Sequence, residues 1–65
     1  SKRPTTALDY AASEAETVIG ADIGNAADFL ISKHWKANNG AWFKGGHELH
    51  LLVENGQVMN AQLVK

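Results

Sequence analysis

Residues 47–65 read HELHLLVENGQVMNAQLVK, and this stretch decides the fold. Apolar and polar residues alternate on both sides of Asn55-Gly56, at the period of two that a half-buried strand imposes. Asn and Gly both tolerate positive φ, so the dipeptide marks a turn between two antiparallel arms, His47 to Val53 and Gln57 to Val64. Two registers compete. A two-residue loop sets Val53 opposite Val58 and Leu51 opposite Asn60, mixing leucines with amides on one face. A three-residue loop, Glu54-Asn55-Gly56 with Gly56 as a bulge residue, sets Leu51 opposite Met59, Leu49 opposite Ala61 and His47 opposite Leu63. That register gathers Leu49, Leu51, Val53, Met59, Ala61 and Leu63 on one apolar face, each contributing roughly 1.5–3 kcal/mol when fully covered. Such burial outweighs the local preference of a dipeptide, so the longer loop is expected. Leu52 and Val58 then become cross-strand neighbours on the opposite face.

Upstream, Gly45-Gly46 permits a tight turn into a short strand over Ala41 to Lys44. It places Trp42 opposite Leu49 on the apolar face and Phe43 beside Glu48 on the other. Before Gly40 the period is helical. Leu8, Ala11, Ala12, Ala15, Val18 and Ile19 recur at helical spacing, after Thr6 as N-cap with Asp9 three residues on. Gly20 is a natural stop, and Gly20 to Gly24 reads as a connector. Asn25 is expected to cap a second helix with a stripe of Ala27, Leu30, Ile31, His34 and Trp35, ending at Asn38-Asn39-Gly40. Phe29 falls off that stripe. The expected fold is α+β: two N-terminal helices packed on one face of a three-stranded antiparallel meander. It forms one domain over residues 1–65, with residues 1–5 loose.

Sixty-five residues suffice for one domain whose stability is marginal, because a chain this short buries a small share of its surface. There is no cysteine, so disulfides cannot compensate. Six Lys and Arg against seven Asp and Glu give no basic surplus, which disfavours nucleic acid as a partner. No apolar run approaches a membrane span, and Ser1-Lys2-Arg3-Pro4 leads into no hydrophobic leader, so a cytoplasmic location is expected.

Catalytic and metal chemistry find little support. His47 and His50 would share a face in a helix but point to opposite faces of a strand, and no cysteine assists them. Ser13 and Ser32 have no histidine placed to activate them. The glycines at 20 and 24 lack the lysine and the preceding strand of a phosphate loop. No enzyme activity, cofactor, metal site or small-molecule substrate is therefore expected. Two helices joined by a glycine-bearing turn and followed by a hairpin also trace the outline of a winged helix-turn-helix, with Lys33, Lys36 and Lys44 as phosphate contacts. The outer sheet face carries more signal. Phe43, Leu52, Val58 and Val64 point outward there, and Phe43, Leu52 and Val58, with Phe29 as a separate anchor, suggest an interaction surface. The expected function is a small non-enzymatic protein-binding module: an inhibitor, adaptor or accessory regulator, self-association included. A DNA-binding module and a structural subunit of a larger assembly are the alternatives.

Overall fold

The computed structural model describes residues 4–64. Most of the segment expected to be loose, residues 1–3, lies outside that range. The order is α1 (Ala7–Thr17), α2 (Ile23–Ser32), β1 (Lys36–Asn38), β2 (Ala41–Lys44), β3 (His47–Glu54) and β4 (Gln57–Leu63). The α+β class holds, but the antiparallel meander has four strands, in the order β1-β2-β3-β4.

The extra strand replaces what was expected to be the last turns of the second helix. That helix starts and stops earlier. Asp22, not Asn25, is its N-cap and accepts from the Gly24 amide at 3.0 Å. At its end the Trp35 amide donates to Leu30 O and the His34 amide to Ile31 O, while His34 holds φ at 74°. This is a Schellman closure with histidine in the left-handed position that usually takes glycine. Leu30 and Trp35, the two apolar ends of the motif, are both buried. Asn39-Gly40 is consequently not a helix end. Both residues have positive φ and form a two-residue turn pairing Lys36 with Phe43.

The helix stripes are narrower than expected. On α1 the buried residues are Ala11, Ala15 and then Val18, whereas Leu8 and Ile19 are exposed. Thr6 caps α1 in a capping box with Asp9, as expected. On α2 Ala26 and Leu30 are buried and Ile31 is exposed. Phe29 is packed against the core, not standing apart. His34, expected to be partly buried, is exposed.

The β3–β4 register overturns the three-residue loop. Glu54 faces Gln57 and Val53 faces Val58, with Asn55 and Gly56 both at positive φ. The register then shifts between Leu52 and Val53, so that Leu52 faces Asn60, Leu51 faces Ala61 and Leu49 faces Leu63. Met59 is the extra residue of a bulge. The bulge reconciles demands that had looked exclusive: Asn-Gly keeps its two-residue turn, and Leu49, Leu51, Ala61 and Leu63 still share the core face. Val58 takes the inward place expected for Met59. Val58 is fully buried, Met59 is 52% exposed and Val53 is 40% exposed. The β2–β3 turn at Gly45-Gly46 forms as expected, with Trp42 opposite Leu49 and Phe43 opposite Glu48.

The helices cover one face of the sheet. Ala11, Ala15, Val18, Ala26, Leu30, Trp35, Leu49 and Val58 form the core between the layers. The connector between the helices also pairs with β4. The Gly20 amide donates to Val58 O, the Val58 amide to Ala21 O and the Ile23 amide to Gly56 O. No helix among the described residues is long and apolar enough to cross a membrane.

Candidate functional site

Strand alternation assigns the outer face of the sheet. Lys36, Phe43 and Glu48 lie side by side across β1, β2 and β3, and the Val64 amide donates to Glu48 O at 2.8 Å. His50 lies beside Gln62, and its Nε2 is 2.5 Å from Glu48 Oε2. Leu52 lies beside Asn60. Of the residues expected to form an interaction surface, Phe43 and Leu52 are on this face and exposed. Val58 is not, because the bulge turns it into the core. Phe29 is on the helix layer, with the Lys33 ammonium 5.6 Å from its ring centroid. The apolar patch expected from Leu52 beside Val58 is therefore dispersed. Val64, expected to point outward, is more than half exposed, and so is Met59, which a pairing rule without a bulge places in the core.

The edges of the sheet are blunted. β1 is three residues long and wholly exposed. The start of β4 is covered by the helix connector, and the Ala61 amide donates to the Asn60 side chain at 3.0 Å. The short β1 and the covered start of β4 leave less of a template for an added strand.

A polar cluster on the helix side was not foreseen. Trp35 Nε1 donates to Glu14 Oε1 at 2.8 Å, and Lys44 Nζ donates to the same oxygen at 2.9 Å. Lys44 also lies 5.8 Å from the Trp35 ring centroid. Burial raises the pKa of Glu14, but the bonds from Lys44 and Trp35 and the charge of Lys44 outweigh it, holding the carboxyl below its ordinary value. The signal was available. Glu14 sits three residues after Ala11 and four before Val18, on the buried stripe, and Lys44 shares the parity of Trp42.

Beside this cluster, a cleft of about 430 Å³ separates α1 from the end of α2 and the β2–β3 turn, with Tyr10, Glu14, Lys33, His34, Lys44 and His47 on its walls. A second cleft of about 510 Å³ adjoins it across the turn, sharing His34, Lys44 and His47 and adding Lys36 and Glu48. The three lysines considered as phosphate contacts thus gather at one end of the molecule. The N-terminus of α2, where a winged helix would contact bases, instead lies against the β3–β4 turn through Ile23 and Gly56. Comparison with known proteins finds no family model, no curated relative and no solved structure that matches the chain.

Proposed function

We propose that this domain is a non-enzymatic protein-binding module, an inhibitor, adaptor or accessory regulator, that docks a folded partner on the open face of its sheet. The observation that carries the reading is the asymmetry of the sheet: helices cover one face, and the other presents Phe43, Leu52 and Val64 to solvent. Mixed character suits a reversible interface, which is about as apolar as ordinary surface and gains energy at a few large side chains. The blunted edges support docking by the face over strand addition. A cytoplasmic location accompanies this reading.

The test is capture from the native cell with tagged parent protein, with Phe43→Ala/Leu52→Ser, and with Ile31→Ser as a control on the helix layer. The same partner should be retained by the parent and by Ile31→Ser and lost by the face variant, with circular dichroism showing all three folded. Sedimentation distinguishes a second copy as the partner. Retention by the face variant, together with unchanged sedimentation, removes the reading.

A further inference from the structure

At the end of the molecule away from the Asn55-Gly56 turn, three features converge beside the docking face. Among the described residues, Lys33, Lys36 and Lys44 stand around two adjoining clefts whose carboxylates are Glu14 and Glu48. Glu14 is engaged by Lys44, and Glu48 by His50. Lys33 and Lys36 have no carboxylate within ion-pair distance among the described residues. Among the described residues, the first cleft therefore sets two ammonium groups, Lys33 and Lys44, against the one carboxylate of Glu14, which attracts both.

His34 is the second feature. It occupies the left-handed position of the α2 closure at φ 74°, a conformation costly for a residue with a side chain and nearly free for glycine. Nothing in the fold repays that cost through the ring, which is exposed and makes no hydrogen bond within the described residues. A strained residue at the mouth of a cleft points to a use for its side chain. The imidazole sits where the two clefts meet, between Lys33 and the Lys44-to-His47 turn.

The third feature is the other wall. Ala7, Ala11 and Tyr10 line it, and Tyr10 is 59% exposed beside small side chains. Gly45 closes the end with no side chain, at positive φ. A flat apolar body could lie along Tyr10 and the alanines while an anionic group meets Lys33 and His34. The volume falls in the range typical of small-molecule sites.

We infer that this cleft is a binding site for a small anion carried on a planar ring, the chemistry shared by aryl phosphates and aryl carboxylates. Tyr10 stacks the ring, and Lys33 with His34 receives the anion. The cleft that holds Tyr10 and Lys33 contains none of the docking-face residues Phe43, Leu52 and Val64.

Titration of the isotopically labelled full chain, followed by amide and side-chain NMR shifts, tests it with phenyl phosphate, benzoate and the uncharged benzyl alcohol. Saturable shifts are expected at Tyr10, Lys33, His34, Gly45 and His47 with either anion, and none that saturate with benzyl alcohol. The stronger of the two anions identifies the source. Lys33→Gln should weaken binding about fivefold, the loss of one exposed charge pair. His34→Gly should also weaken it while raising the melting temperature, because it relieves the positive φ. A residue kept only for the helix closure would give the higher melting temperature with binding unchanged. Shifts elsewhere, equal binding of benzyl alcohol, or parent-like affinity in both variants would overturn the assignment.

Discussion

Asn39-Gly40 and Asn55-Gly56 are the same dipeptide in the same backbone state, with φ of 52° and 82° in the first and 54° and 77° in the second. The hairpins that they close differ in how they are fastened to the helices. The first joins strands of three and four residues, the second strands of eight and seven. The second is fastened through its backbone: Gly56, Val58 and the helix connector exchange three hydrogen bonds, and Val58 and Leu49 are wholly buried. The first is fastened by side chains, since Trp35 just before β1 and Lys44 at the end of β2 both converge on one oxygen of Glu14. A turn dipeptide thus settles the loop and leaves open what holds the hairpin down.

The sharpest way to break this comparison lies in the bulge. Val58→Ser removes buried apolar surface and leaves a hydroxyl in the core, so it should cost about 3 kcal/mol. The whole domain is expected to hold only about 3–10 kcal/mol, so that variant should be largely unfolded on warming. Met59→Ser, one residue along, should stay within about 0.5 kcal/mol of the parent, as surface changes do. Urea unfolding of the two variants measures the difference. Straight pairing with a three-residue loop requires the reverse order, so a larger loss at Met59 would refute the bulged register.

That pair also shows how far the sequence could be read. Thr6 with Asp9, the Gly45-Gly46 turn, the Trp42–Leu49 pairing and the α+β class follow from residue chemistry that acts within a few positions. What escaped depended on distant partners. Asn38-Asn39-Gly40 is as good a helix stop as a hairpin turn, and only the Schellman closure at His34, with Trp35 drawn into the core, decides between them. The bulge escaped for a related reason. Each face was judged with a constant register, and under that constraint turn chemistry and hydrophobic pattern conflict. One extra residue dissolves the conflict but leaves no local signature in Val58-Met59-Asn60. The exposed face inherited the error, so Phe43 and Leu52 were legible as outward-facing while Val58 was not.

A smaller test compares the two turns directly. Beyond the adjoining residues, no atom of the described chain lies within 4 Å of a Cβ added at Gly40 or Gly56, so alanine at either site meets backbone strain and no clash. That strain should cost about 1 kcal/mol at Gly40. At Gly56 the loss should reach about 2 kcal/mol, because adjusting φ also disturbs the bond from the Ile23 amide to Gly56 O. Thermal melts of the two alanine variants check it. Equal losses would mean that the tip contributes nothing beyond its own turn.

The smallest effect concerns the side-chain fastening, and it carries a pH signature that the backbone fastening lacks. The pKa of Glu14 lies below its ordinary 4.5 in the folded protein. A lowered carboxylate pKa adds stability that is present above the unfolded value and is lost as pH falls through the folded one. Glu14→Gln keeps an oxygen for Trp35 but removes the charge that Lys44 meets, and should cost about 1 kcal/mol at pH 7. The gap between parent and variant should close as pH drops below 4.5 and the parent carboxylate takes up its proton. Amide exchange at pH 7 should rise in the variant across residues 36–44 more than across residues 57–63, because only the first hairpin is anchored at this carboxylate. A gap that persists unchanged into acid would show that Glu14 acts by its shape, and equal exchange in the two hairpins would show that their fastenings are not separate.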